Sequence, residues 1–283
     1  MSALAWALLF LGICVRVSAA QTAERRFERT FPVSGSVSLD LNTDAGGILV
    51  RPGASGIVRV RGILKPQWSL LSGRDVTDRI RQLEANPPIE ANGNTVRVAV
   101  RDKSILRGIS MRLEVDTPPE TQLRARTDSG GIDVQGIHGP IDCQTDSGGV
   151  RAANIGADVR ATTDSGGIHI RKASGEVRAR ADSGGIEALD VAARVEAETD
   201  SGGIRISQTQ PAPIRARADS GGADIALAQI GGYDITARSE SGRVTAENLT
   251  PTGKPSRGML DGRLRGGGPL VDVRVDSGNV TIH

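Results

Sequence analysis

The tetrapeptide Asp-Ser-Gly-Gly begins at Asp128, Asp146, Asp164, Asp182, Asp200 and Asp219, at spacings of 18, 18, 18, 18 and 19 residues. A fixed period limits the possible folds severely. Each period must be one structural unit that buries its apolar face only against its neighbours. A variant, Glu240-Ser241-Gly242, follows 21 residues on, and Asp276-Ser277-Gly278 lies 36 residues beyond that, which is two periods. Upstream, Asp44-Ala45-Gly46-Gly47 reads as a lone early copy.

Within a period, apolar and polar residues alternate as in a half-buried strand. Aligned periods give four apolar columns. Four residues after each Asp stand Ile132, Val150, Ile168, Ile186, Ile204 and Ala223; six after stand Val134, Ala152, Ile170, Ala188, Ile206 and Ile225. Five before the next Asp come Ile141, Val159, Val177, Val195, Ile214 and Ile235; three before come Cys143, Ala161, Ala179, Ala197, Ala216 and Ala237. Each period therefore holds two short strands, and large β-branched residues facing Ala let two sheets approach closely. This accounts for a core in a chain with only 2% aromatic residues.

Two architectures accommodate two strands per period: a β-solenoid with one coil per repeat, or an antiparallel meander folded into a sandwich. The outward columns favour the solenoid. Glu196 and Glu198 lie between Arg178/Arg180 and Arg215/Arg217. Stacking residues 18 apart sets these opposite charges side by side, each pair worth up to about 1 kcal/mol. The expected fold is an all-β, single-stranded β-solenoid with coils of about 18 residues and a short helical insert near its N-terminal end. The left-handed hexapeptide helix of acyltransferases is excluded, because Ile132, His138 and Gln144 break its six-residue aliphatic rule.

The flanks read differently. Residues 3–15 are apolar, too short a run to span a bilayer, and Ser18-Ala19-Ala20 suits signal peptidase. We expect a signal peptide over 1–20, export to the periplasm or beyond, and no transmembrane segment after cleavage. Residues 21–122 form an N-terminal β region with a helix at about 75–84, where Val76, Ile80 and Leu83 recur at helical spacing after Asp75 as N-cap. The regular repeats occupy 123–249, a Gly-, Pro- and Arg-rich loop 250–268, and a closing β coil 269–283. Only Cys143 remains after cleavage, so no intramolecular disulfide can form.

The run from Phe27–Gly35 to NTDAGGILVRPG, the helical insert, the MRLEVDTPPETQLRARTDSGGIDVQGIHG junction and the serial strand–Ser-Gly–strand coils resemble the bacterial putative-adhesin β-strand-repeat domains, a family of unknown function. The resemblance covers residues 27–283 and implies an exported β-solenoid. It brings no catalytic residue, cofactor or ligand with it.

Asp-Ser-Gly-Gly also occurs around protease nucleophiles, but six equivalent copies with only three histidines in the chain do not build a triad. A turn role suits the motif better: Asp and Ser bond backbone N–H groups and Gly supplies positive φ. The stacked carboxylates of Asp128, Asp146, Asp164, Asp182, Asp200 and Asp219 offer a minor alternative, bridging by Ca²⁺; our preferred expectation is no metal. Cys143 reads as a buried inert thiol, and Trp68 and Tyr233 as local hydrophobic plugs.

A net charge of +2, from 35 Lys+Arg against 33 Asp+Glu, with few aromatics, argues against a nucleic-acid binder. The expected role is an exported, non-enzymatic, adhesin-like or envelope scaffold protein. The alternatives are a carbohydrate-active β-helix enzyme and an envelope signalling partner. The most distinctive surface carries Arg160, Arg178, Arg180, Arg215, Arg217 and Arg238, an interaction face for an envelope polysaccharide or a surface protein.

Overall fold

A computed structural model describes residues 24–67, 74–100, 103–247, 252–253 and 256–283. The leader expected over 1–20 and Trp68 lie outside the described residues. The fold is mostly β, built as two long sheets, and each repeat sends one strand to each. Sheet A stacks Ile132–Gln135, Val150–Ile155, Ile168–Ala173, Ile186–Val191, Ile204–Gln208 and Ala223–Ala226 in parallel. Sheet B does the same with Thr121–Ser129, Ile141–Ser147, Val159–Ser165, Val177–Ser183, Val195–Ser201 and Ile214–Ser220. Ile168 pairs with Val150 on one side and Ile186 on the other, so the repeats stack period upon period in a solenoid-like arrangement.

The columns point inward. Ile168, Ile186, Val177 and Val195 are fully buried, with the Ala column opposite them at 4% exposure or less. A further inward column is made by Thr127, Thr145, Thr163 and Thr199. Each hydroxyl donates to the carbonyl of a turn glycine one coil back: Gly46, Gly130, Gly148 and Gly184, at 2.8–3.0 Å. A buried hydroxyl thus satisfies a carbonyl that would otherwise be unpaired in the interior.

The turn itself explains its glycine. Gly148 has φ 154° and Gly166 φ 148°, a region costly for any side chain. A Cβ on Gly148 would also run into the backbone carbonyl of Gly130 directly beneath it. Backbone bonds continue through the corner, Gly148 N–H donating to Ser165 at 2.9 Å, so coils touch at their turns as closely as at their strands.

The N-terminal region shares the same two sheets. Val37–Ala45 pairs with Thr121–Ser129, and Ile48–Pro52 with Ile132–Gln135, so the early Asp44 copy is the neighbouring coil despite its distance in sequence. Between them, Ile57–Pro66 lies antiparallel to Ile109–Thr117 and to Arg25–Pro32. The helix Arg74–Ala85 buries Ile80 and Leu83. Asp75 sits inside its first turn rather than at the cap, where it meets the positive helix end and Arg79 at 3.1 Å.

The C-terminal segment departs from the expected order. The stretch read as a loop over 250–268 contains the strand Met259–Leu264, antiparallel to Tyr233–Ser239. Residues 269–283 do not close the stack. Leu270–Ser277 inserts between Ile214–Ser220 and Tyr233–Ser239, so Val271 stands between Ile214 and Ile235. Val280–Ile282 likewise separates Ala223–Ala226 from Val244–Ala246. The coils starting at 214, 233 and 270 all present apolar residues in the same columns, so column matching cannot rank them as neighbours. The connection over 265–268 crosses the start of the Tyr233 strand, where Gly232 lies against the backbone carbonyls of Leu264, Arg265 and Gly267.

Candidate functional site: the arginine face of sheet B

Side chains alternate along a strand, so the residues between the buried Val and Ala columns of sheet B form its outer face. Two outward columns result. One reads Arg97, Asp40, Arg124, Asp142, Arg160, Arg178, Glu196, Arg215, Asp272 across successive strands. The other reads Arg126, Gln144, Thr162, Arg180, Glu198, Arg217, Arg274, Arg238. All six arginines of the expected face lie in these columns. Arg274, which belongs with them, is invisible from sequence order because its strand is the inserted one.

Most of the face is internally paired. Arg97 meets Asp40 at 3.4 Å, Arg124 meets Asp142 at 3.6 Å, and Arg215 meets Glu196 at 3.6 Å. Arg178 lies 2.9 Å from Glu176 and 3.9 Å from Glu196, while Arg180 reaches Glu198 at 3.3 Å and Asp182 at 3.8 Å. These side chains are roughly half exposed, so each pair contributes little to stability, about 0–1 kcal/mol. Arg160, Arg217 and Arg238 have no ion pair or side-chain hydrogen bond among the described residues. A groove of about 600 Å³ runs over the N-terminal half of the face, bordered by Arg97, Arg124, Asp142, Asp158, Arg160 and Arg178.

The outer face of sheet A is different. Its groove, about 690 Å³, is floored by turn glycines and crossed by one continuous charge ladder. His169 Nδ1 meets Glu187 at 3.1 Å, Glu187 meets Arg205 at 3.7 Å, Arg205 meets Asp224 at 3.3 Å, and Asp224 meets His283 Nε2 at 3.0 Å. Every member of that ladder has a partner. His283 joins the ladder only because the C-terminal strand is inserted beside Ala223–Ala226. No column alignment places it next to Asp224.

The remaining singled-out residues are structural in their surroundings. Asp128, Asp146, Asp164, Asp182, Asp200 and Asp219 are exposed along the turn edge. Among the described residues, no group of three or more His, Cys, Asp or Glu side chains gathers as a metal site would require. Cys143 is fully buried, and burial, reinforced by Asp142, pushes its thiol up to about 12, which removes thiolate chemistry near neutral pH. Tyr233 is fully buried at the C-terminal end. Its hydroxyl donates to Gln208 Oε1 at 3.3 Å and accepts from Ala228 N–H at 3.2 Å, and burial raises its phenol. No helix among the described residues is long and apolar enough to cross a membrane.

No curated protein matches the chain. Among solved structures, it is similar to a putative adhesin from Bacteroides fragilis, at 14% identity and TM-score 0.47 over 93% of this chain and 99% of that one. It is also similar to a putative cell adhesion protein from Clostridium sporogenes, at 12% identity and TM-score 0.29 over 91% and 99%. The family model described as Toastrack DUF4097 matches residues 77–283, from the helix through every regular coil to the inserted C-terminal strands. With that much of its length matched, the chain belongs to the Toastrack family, a domain of unknown function.

Proposed function

We propose that the chain is an exported, non-enzymatic, adhesin-like solenoid of 18-residue coils that binds an acidic envelope polysaccharide through the outer face of sheet B. The observation that carries this reading is the register of that face, which brings ten arginines, Arg274 included, into two columns on one side of the sheet. An extended array of half-exposed guanidinium groups recognises repeated carboxylate or sulfate groups better than it recognises one small substrate. Catalysis needs acid, base and substrate to converge at one preorganised place, whereas coils that repeat present many similar shallow positions.

The test is retention on immobilised polygalacturonate at low and high salt. The wild-type chain is compared with a variant carrying Arg→Gln at 160, 178, 180, 215, 217 and 238. Retention should fall with salt and be lost in the variant, with its melting transition preserved. Equal retention of both chains would overturn the reading, and turnover of the polymer would overturn its non-enzymatic part.

A further inference from the structure

Along the outward columns of sheet B, arginines mostly alternate with acids or neutral residues. Arginine stands directly beside arginine in two places. Arg160 stands directly beside Arg178. Arg217, Arg274 and Arg238 stand side by side on three consecutive strands. Like charges opposite one another on neighbouring strands are unfavourable, so these are the points where the face is electrostatically incomplete.

The incompleteness is not repaired from within. Asp142, the acid beside Arg160, pairs with Arg124 instead, and Arg178 pairs with Glu176 and Glu196, so Arg160 has no ion-pair partner among the described residues, at the border of the 600 Å³ groove. In the triplet, Arg274 is held by Asp272 of its own strand at 3.1 Å, while Arg217 and Arg238 on either side have no ion pair among the described residues. Asp219, Asp276 and Glu240 follow two residues on in the sequence, yet none of them is paired with these two arginines. The inserted C-terminal strand sets the order of the triplet, with Arg274 between Arg217 and Arg238.

We propose that these two breaks are anion seats, one over Arg160–Arg178 and one over Arg217–Arg274–Arg238, and that a linear anion-bearing polysaccharide lying along the stack engages both. An anion centred over neighbouring guanidinium groups restores the alternation that the columns otherwise keep. Three and a half strand spacings separate the seats, roughly 17 Å along the stack at about 4.8 Å per strand. A single sugar acid cannot fill both, and a chain can, so binding should be chain-length dependent. This rests on the polysaccharide-binding reading above and assigns it to particular arginines.

The experiment compares two full-length variants with the same loss of charge: Arg160→Gln/Arg217→Gln/Arg238→Gln, which empties the seats, and Arg124→Gln/Arg180→Gln/Arg215→Gln, which removes paired arginines. Affinity is measured for polygalacturonate, dextran sulfate and monomeric galacturonate, with a thermal melt for each chain. The seat variant should bind both polymers at least about tenfold more weakly, down to the level of the monomer. The paired variant should lose affinity by a clearly smaller factor than the seat variant, because its guanidinium groups are already held by acids. Binding to one polymer alone would still support the seats and identify the anion as carboxylate or sulfate. Equal loss in the two variants, with polymer binding by wild type intact, overturns the seats but not the broader reading. Failure of the wild-type chain to bind either polymer overturns both.

Discussion

The regular stack over 121–226 and the C-terminal segment over 233–283 are built from the same coil, yet they obey different rules of order. In the first, spatial order is sequence order: Val159 lies beside Val177, which lies beside Val195, which lies beside Ile214. In the second, the last coil of the chain sits inside the one before it. A repeat specifies how coils pack, through its columns and its glycine corners, but not which coil packs on which. In the regular stack, short connections decide the neighbour. After Ala226 the antiparallel strand Met259–Leu264 occupies one side of Tyr233–Ser239, and the final strand takes the other. Both outer faces depend on this choice, since it sets Arg274 between Arg217 and Arg238 on sheet B and completes the charge ladder of sheet A.

The largest expected contrast comes from placing a charge in each region's core. Ile168→Asp buries an unpaired carboxylate between Val150 and Ile186 and should cost more than about 4 kcal/mol, abolishing the cooperative transition of the whole stack. Val273→Asp makes the same change at an equally buried position of the inserted strand. It should release 233–283 while leaving amides over 132–208 protected in hydrogen exchange. Loss of protection across the entire chain in the second variant would show that the two regions are a single cooperative unit.

Glycine separates the regions on a smaller scale. Gly148→Ala meets both a φ of 154° and the carbonyl of Gly130, and should destabilise by roughly 3–5 kcal/mol. Gly266, in the crossing loop, has φ 90° but open space around its Cβ position, so Gly266→Ala should cost only about 1–2 kcal/mol. Denaturant melts of the two variants give the comparison directly, and equal costs would mean that close approach between turns contributes nothing.

The smallest effect is a titration confined to the C-terminal segment. Tyr233 is the chain's single tyrosine, and burial raises its phenol above the usual value of about 10. The stability linked to it is fully present below that ordinary value and is lost as pH rises through the raised one. Its absorbance transition should therefore fall at higher pH in the folded chain than in urea. A coincident transition in both would show that the ring is not held in the interior.

Much of the architecture was legible because period and alternation are local properties. The Ile132-to-Ile204 column, the alternation of Arg178, Glu196 and Arg215, and the glycine corners all follow from residues 18 or 19 apart. What was not legible involves equivalence or tolerance. Ile235 matches Ile214 as well as Val271 does, so the alignment set the wrong strands side by side. Thr127, Thr145, Thr163 and Thr199 read as polar until their carbonyl partners are seen, although their own 18-residue spacing was a usable signal. At the opposite corner Asn154, Lys172 and Asp190 take φ of 56–58° without any glycine, and only the Asn and Asp are residues that commonly adopt that conformation. Of the candidate face, six arginines could be found from their columns; Arg274 could not, because its neighbours lie 36 and 57 residues away in the chain.

The order of the C-terminal coils is the claim on which both faces rest, and cysteine pairing reads it directly. In a Cys14→Ala/Cys143→Ala background, Arg215→Cys/Asp272→Cys is compared with Arg215→Cys/Thr236→Cys under mild oxidation. Asp272 is the strand neighbour of Arg215, and Thr236 lies one strand farther on. Neighbouring strands about 4.8 Å apart are within reach of a disulfide, whereas a separation of two strands exceeds the limit of about 7 Å. The account predicts rapid, near-complete bonding of 215 to 272 and none of 215 to 236. Bonding of 215 to 236 instead would mean that the coils stack in sequence order, and neither the placing of Arg274 between Arg217 and Arg238 nor the His283 ladder would exist.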